Sequence, residues 1–269
     1  MGKFTQLLRS ALAVAAMAAG CSHMHAANAT ADTLTLRVMT YNIHAGHDAL
    51  LAEIANLIND FKPDFVALEE VDHITQRKNS PHQNGRNFTA ELANATGMMG
   101  LYGKTIEFGG GLYGIAMLTR HPYVKVDKLM LPNPDPTKEP RALLEALVEL
   151  PDGDTVMLAT THLEAFSKEC RKSQGEFLNS HFAGCRYPVV IGGDFNADPT
   201  EPVMATMLEQ WQNVSGKENT FSATKPHIKI DYLLARPRGH WEVESVNVPH
   251  VNLSDHLPVM AVIRLITKR

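Results

Sequence analysis

The sequence predicts an α/β (α+β) chain of two packed mixed β-sheets flanked by helices. Three observations carry that expectation. Strand-like segments outnumber helix-like ones from Leu34 onward. The middle of the chain, Tyr113 to His162, holds four consecutive strand patterns joined by short turns. Such a run describes antiparallel neighbours, not the strand–helix alternation of a doubly wound parallel sheet. Finally, no linker long enough to separate domains interrupts residues 32–269, so they read as one domain.

Taken in order, Leu34 to Ile43 alternates apolar and polar residues and predicts a first strand. Leu50 to Phe61 carries apolar residues at helical spacing, and Lys62-Pro63 stops it. Asp64 to Val71 is a second strand, and Asn87 to Thr96 a short helix ended by Gly97. Four strands follow at Tyr113–Thr119, Tyr123–Leu131, Arg141–Leu150 and Thr155–His162. Turn chemistry at Arg120-His121-Pro122 and Pro151-Asp152-Gly153-Asp154 separates them, with a proline-rich loop over Leu131 to Pro140. Lys168 to Phe182 predicts a helix, Tyr187 to Ile191 a buried strand, and Pro202 to Gln210 another helix. Lys229–Ala235, Trp241–Val248 and Leu257–Leu265 complete the strands.

With 269 residues, 44% hydrophobic and 20% charged, the chain has the composition of a globular protein with a sizeable core. Its start differs. Lys3 and Arg9 precede an apolar run, Ala11 to Gly20, that is too short to span a bilayer, and no acidic residue occurs before Asp32. Residues 1–31 therefore read as an export leader, and the mature protein as periplasmic or secreted. Ala19-Gly20-Cys21 resembles a lipoprotein processing site with Cys21 as a lipid anchor, although Ala18 stands where Leu is usual; Ala29-Thr30-Ala31 offers ordinary cleavage instead. Loss of Lys3 and Arg9 takes the formal net charge from −4 to −6, which disfavours nonspecific gripping of polyanions. Cys170 and Cys185 are the remaining cysteines, a pair that an oxidising compartment could join. The helix between them, however, would hold its ends roughly 18 Å apart, against about 7 Å for a bridge.

Strand after strand ends in polar residues that a core does not select. The first ends in Asn42 and His44, the second in Glu69 and Glu70, and a later one in Thr161 and His162. The stretch IGGDFNADP places Asp194, Asn196 and Asp198 after a buried strand, Asp231 follows Lys229-Ile230, and Ser254-Asp255-His256 precedes the last strand. One such histidine or aspartate is ordinarily a structural residue or a turn. Six clusters of carboxylate, amide and imidazole without a thiolate suit a hard cation, Mg²⁺ or Mn²⁺, acting on a phosphate.

These segments resemble the endonuclease/exonuclease/phosphatase superfamily of metal-dependent hydrolases. MTYNIH (39–44), ALEEVD (67–72), TTHLEA (160–165), GGDFNADP (192–199), KIDYLL (229–234) and LSDHLPV (253–259) match its motifs in order over residues 34–265. The Asp-x-His and Gly-Asn-His-Asp/Glu elements of calcineurin-like phosphoesterases do not occur. The resemblance implies a DNase I-like four-layer sandwich and in-line attack of water on a phosphorus ester. It gives Glu70 the metal, with Asn42 beside the metal or the phosphate and Asp255 assisting. It gives Asp194 and Asn196 the attacking water and the phosphoryl oxygens. His256 becomes the terminal histidine oriented by Asp231, and His162 the stabiliser of developing phosphate charge. Glu69 stands where the family commonly has Gln, which implies an added negative charge beside the metal. Asp198 is a turn residue. His44 would line the substrate pocket. Arg141 either reaches a substrate phosphate in a bidentate manner or forms a surface ion pair. Gly114-Ile115-Ala116 departs from the expected Gly-Asn-Ala, which implies one polar group fewer near the site.

The resulting expectation is an exported, Mg²⁺- or Mn²⁺-dependent phosphodiesterase or nuclease, acting as a monomer on a phosphate ester with no protein partner indicated. Scattered basic residues and 7% aromatics give no clear nucleic-acid signature. A lipid or sugar-phosphate phosphatase on the same scaffold is the alternative, and a binding module without catalysis is disfavoured by the filled catalytic positions.

Overall fold

The computed structural model describes residues 34–266; the leader, with Cys21, lies outside the described residues. Twelve strands form two six-stranded sheets. The first contains β1 (Thr35–Asn42), β2 (Phe65–His73), β3 (Met99–Phe108), β4 (Gly111–Thr119), β11 (Trp241–Asn247) and β12 (Val259–Leu265), in the order β11-β12-β1-β2-β4-β3. The second contains β5 (Tyr123–Met130), β6 (Ala142–Glu149), β7 (Thr155–His162), β8 (Val189–Asp194), β9 (Gln212–Asn213) and β10 (Asp231–Arg236), in the order β5-β6-β7-β8-β10-β9. Each sheet is built around one parallel pair, β1–β2 or β7–β8, and every other pairing is antiparallel. The parallel pairs need crossovers. Helix α1 (Leu51–Phe61) supplies one and α3 (Lys168–Ala183) the other, so two strands in each sheet end at the same edge.

Three apolar layers hold these parts. Between the sheets, Val38, Phe65, Ala67 and Met117 meet Leu144, Leu158, Val190 and Leu233. Outside the first sheet, α1 buries Leu51, Ile54, Ala55 and Ile58, and α2 (Phe88–Thr96) buries Phe88 and Leu92. Outside the second, Leu178 and Phe182 of α3 join Met204 and Met207 of α4 (Pro202–Gln210) against Trp211 and Tyr232. The result is the helix–sheet–sheet–helix sandwich expected from the sequence. Local signals also act as read: Asn87 caps α2 through Ala90 N–H at 3.1 Å, and Gly97 ends it in the left-handed region.

Some elements differ from expectation. Strand β3 carries no clear alternation, because it is an edge strand of mostly half-buried residues punctuated by Gly100 and Gly103. It pairs with β4 through a hairpin whose tip, Gly109-Gly110, adopts positive φ of 55° and 74°. Strand β2 runs beyond Val71 to His73, across a bulge between Leu68 and Val71. Ile115, where a polar residue was expected, is fully buried between the sheets. Cys170 and Cys185 are both free thiols.

The two glycines before Asp194 allow close approaches of different kinds, Gly192 to the facing sheet and Gly193 to the neighbouring strand β7. A Cβ on Gly192 would lie 2.7 Å from Ala67 Cβ of the facing sheet, and one on Gly193 would lie 2.1 Å from the Thr161 carbonyl. Gly193→Ala therefore displaces backbone and not a flexible side chain. It is expected to destabilise the fold by about 1–3 kcal/mol or more, read as a shifted denaturation midpoint, and to lower activity with it. A variant as stable as the parent would show that the close approach is not required.

Candidate active site

The parallel pairs deliver their C-terminal ends to one edge of the sandwich, where antiparallel β10 also begins. In register, Asp194 of β8 has His162 of β7 on one side and Asp231 of β10 on the other. In the facing sheet, Asn42 of β1 pairs with Glu69 of β2. The bulge then turns Glu70, at φ 57°, away from the regular alternation. Asn196 (φ 49°) and His44 (φ 46°) also occupy the left-handed region, which non-glycine residues adopt at a cost and which concentrates at functional sites.

Asn42 joins the sheets. Its Nδ2 donates to Glu70 Oε1 and to Asp194 Oδ2, both at 3.1 Å, and lies 3.4 Å from His256 Nε2. Its Oδ1 accepts the His44 backbone N–H at 3.0 Å, so the amide nitrogen is the group turned toward the carboxylates. A hard cation takes oxygen ligands. Asn42 thus acts in this arrangement as a donor tying two carboxylates together, beside the position a cation at Glu70 would take. Ser254 Oγ donates to the Asn42 carbonyl at 2.7 Å and anchors the segment leading to His256.

His256 Nδ1 lies 3.0 Å from both oxygens of Asp231, and Nε2 lies 3.7 Å from Asp194 Oδ2. Burial pulls the imidazole pKa down, but Asp231, Asp194 and Asp255 together carry it up to about 10. Burial and then the neighbouring Asp231 push the Asp194 carboxyl up, with His256, Asn196 N–H and Asn42 opposing. Lys229, which the sequence did not single out, is buried behind this pair and donates to the carbonyl of Asp231 at 3.0 Å and of Ser215 at 3.3 Å. Burial lowers its pKa to about 8 against the opposing pull of Asp231 and Glu218.

His162 takes a different state. Nδ1 lies 3.2 Å from an Arg141 guanidinium nitrogen, and Nε2 lies 3.0 Å from Asn196 Nδ2 and 3.5 Å from Asp194 Oδ2. Burial first, then Arg141 and His256, hold its pKa well below the ordinary value. A neutral imidazole can donate a hydrogen bond through one ring nitrogen only. Arg141 forms the ion pair read as its alternative, but in the interior and not at the surface. It is buried, paired with Glu139 at 2.8 Å and 3.9 Å from Glu164, and it supports His162 from behind.

Glu69 also departs from expectation. It is fully buried between the sheets, where Thr40 Oγ1 and Thr160 Oγ1 donate to Oε1 at 3.3 and 3.2 Å. Burial, Asp231 and Asp194 push its pKa well up. A protonated carboxyl here has the shape and donor capacity of glutamine and adds no charge beside a metal.

The sequence-predicted residues do not form one ligand set. Glu70, Asn42, Asp194, Asn196, His162, Asp231 and His256 are contiguous. Asp255 lies instead with His44, whose Nδ1 is 3.6 Å from Asp255 Oδ1 and 2.7 Å from Oδ2 of Asp48, a residue the sequence gave no reason to select. Asp198 is the turn residue expected, accepting the Thr200 N–H at 2.7 Å. The donors fit a hard divalent cation: they are carboxylates and imidazoles, and Asp194 lacks a full counter-charge. Glu70, half-buried beside the Asn42 amide, would hold it, with Asp194 across that amide.

A carboxylate-rich, thiolate-free site at the edge of such a sandwich defines a hydrolytic centre built for a hard cation. The profile of the Endonuclease/Exonuclease/phosphatase family matches residues 39–256, and the chain belongs to that family. It is a divalent-metal-dependent hydrolase of phosphoester bonds. Among solved structures it is similar to an endonuclease/exonuclease/phosphatase from Beutenbergia cavernae, at 27% identity over 86% of this chain and 72% of the other, with a TM-score of 0.68. It shares its fold with a family protein from Bacteroides vulgatus, at 19% identity, 86% and 99% coverage and a TM-score of 0.69. The same holds for a mannosyl-6-phosphatase from Bacteroides thetaiotaomicron, at 17% identity, 85% and 99% coverage and a TM-score of 0.66. No curated protein sequence matches.

Because burial holds the Glu69 pKa above its ordinary value in the folded state, the wild type is expected to lose stability as pH rises above that ordinary value. Glu69→Gln keeps the hydrogen-bonding shape without the titration. Its melting temperature relative to wild type is expected to rise from about pH 4.5 toward neutrality. A pH-independent difference would show that Glu69 is ionised in place.

Proposed function

We propose that the protein is an exported phosphodiesterase, using Mg²⁺ or Mn²⁺, that directs water in line at a phosphorus ester outside the cytoplasm. The continuous network Asp231–His256–Asp194–Asn42–Glu70 supports this reading, since two carboxylates suited to a proton and a cation meet a carboxylate-paired imidazole at one edge. The leader composition supports export.

Asp194, with its raised pKa, is a stronger base than an ordinary aspartate and takes a proton from the attacking water. As the water oxygen bonds to phosphorus, the bond to the leaving oxygen breaks and His256 gives that oxygen its Nε2 proton. Asp231 fixes Nδ1 and sustains the imidazolium. Asn196 Nδ2 and the neutral His162 offer donors to the phosphoryl oxygens, and Asn42 keeps Glu70 and Asp194 at a set separation. A divalent ion held at Glu70 supplies neutralisation of phosphoryl charge when bound.

The test is hydrolysis of bis-p-nitrophenyl phosphate and plasmid DNA by residues 32–269 after removal of divalent ions, with and without Mg²⁺ or Mn²⁺. Cleavage is expected only with metal, and His256→Ala is expected to lower kcat by about 10²–10⁴-fold. Metal-independent turnover, or full activity in the variant, would overturn the assignment.

The alkaline limb of kcat reports loss of the His256 proton near pH 10. Asp231→Asn removes the leading charge that raises this pKa, so the limb moves to lower pH as kcat falls. An unmoved limb would mean that His256 is not the acid.

A further inference from the structure

We propose that a cavity beside the reaction centre binds a second phosphoryl group of the substrate. The proposal rests on the phosphoesterase reading and names a feature its substrate carries. The cavity, of about 350 Å³, is lined by His47, Gln76, Arg77, Lys78, Asn79 and Phe108. Every polar side chain among these can donate a hydrogen bond, and none is a carboxylate.

It adjoins the site directly. The His47 ring is centred 4.7 Å from that of His44, which itself lies 3.6 Å from Asp255. Substrate held at the edge formed by Asn42 and His256 would extend along these imidazoles into the cavity.

The cations there are arranged in advance. Asp72, 1% exposed, accepts from Arg77 Nε at 2.5 Å and from one terminal nitrogen at 2.8 Å, leaving the other terminal nitrogen outside the clamp. The guanidinium lies 4.5 Å from the Phe108 ring centroid, and that ring is 44% exposed. Lys78 is exposed and makes no ion pair among the described residues. The loop carrying both is pinned to its surroundings. Ser80 Oγ lies 2.5 Å from His47 Nδ1, Gln83 donates to the carbonyls of Gly46 and Ala49, and the Gln76 N–H donates to the Gly109 carbonyl at 2.8 Å. A fixed guanidinium with a free ammonium beside it is a recognition device for a compact, multiply charged anion, and little ordering entropy is lost on binding. It stands out in a chain of formal net charge −4, next to a centre dominated by carboxylates.

Two measurements decide the matter. Inorganic phosphate is titrated into ¹⁵N-labelled protein with EDTA present, so that no cation recruits it to the carboxylates. Saturable shifts are expected at the amides of Arg77, Lys78 and Gly109, and their loss in Lys78→Glu. Absence of shifts there, or equal shifts in the variant, overturns the proposal. Lys78 is chosen because Arg77→Gln would strand buried Asp72.

Thymidine 5′-(p-nitrophenyl phosphate) is then compared with its 3′-phosphate and 3′-(methyl phosphate) derivatives. A preference of tenfold or more in kcat/KM is expected for at least one derivative, falling to near one in Lys78→Glu. Preference for the first assigns the group as a terminal phosphate, and for the second as a neighbouring diester; equal values for all three overturn the proposal. If the parent ester itself is not hydrolysed, the phosphodiesterase reading falls, and the phosphate titration still decides this one.

Discussion

Glu69, Asp194 and Asp231 meet between the two sheets at one edge of the sandwich, and none is more than 2% exposed. An isolated ionised carboxylate in a protein interior is too costly to persist, so each must be neutralised, paired or shared. Three different solutions are present. Glu69 keeps its proton and spans the interior between two threonine hydroxyls. Asp231 is paired with an imidazolium. Asp194 receives only partial compensation, from the Asn42 amide, the Asn196 N–H and a distant face of His256. It is the carboxylate left able to take up a proton or approach a cation, and the chemistry of the site follows from that remainder.

Positioning it requires backbone geometry that most residues avoid. The bulge in β2 and the left-handed conformations of Glu70, Asn196 and His44 each oppose local preference, on the order of 1–3 kcal/mol for such sites. They persist because the strands around them are over-determined. The central parallel pairs are packed on both faces, Gly192 lies tightly against Ala67 and Thr40 of the facing sheet, and Gly193 lies tightly against Thr161 of β7. The rigid strands fix where Asp194 and Asn42 stand, and the strained residues just beyond them set the direction of Glu70 and Asn196.

That division explains what was legible in the sequence. Polar residues at strand ends were readable because a core strand gives no other reason for Asn42, His162 or Asp194. Helices α1 and α2 were readable from periodicity and capping, and the sandwich from the run of antiparallel strands. What escaped depends on contacts between segments distant in sequence. Adjacent Glu69 and Glu70 look equivalent, yet one faces the interior between the sheets and the other the site, because a bulge intervenes. Arg141 reads equally as a phosphate contact or a surface ion pair, and its burial beside Glu139 and Glu164 depends on segments the sequence does not join. Strand β3 lacks a periodic signature because its register is imposed by β4 and by α2, against which Gly100 packs within 2.9 Å of Ala93 for an added Cβ. Asp48 is marked only by the local fold that brings it to His44.

Buried charge also constrains how an acidic protein meets an anionic substrate. The carboxylates around Asp194 repel phosphate, and neither Arg141 nor His256 faces it freely. Arg141 is held behind His162 by acidic partners, and the His256 charge is shared with Asp231. In the proposed reaction a cation at Glu70 would attract the reacting phosphoryl group, and a second phosphoryl group would meet the side chains of the loop from Ile74 to Arg86. That loop is fixed to the segment following β1 by Ser80 and Gln83, so its donors keep a constant relation to the centre. The acidic edge around Asp194 and the donor-rich loop are thus separated in space, and the hydrogen bonds of Ser80 and Gln83 keep that separation constant.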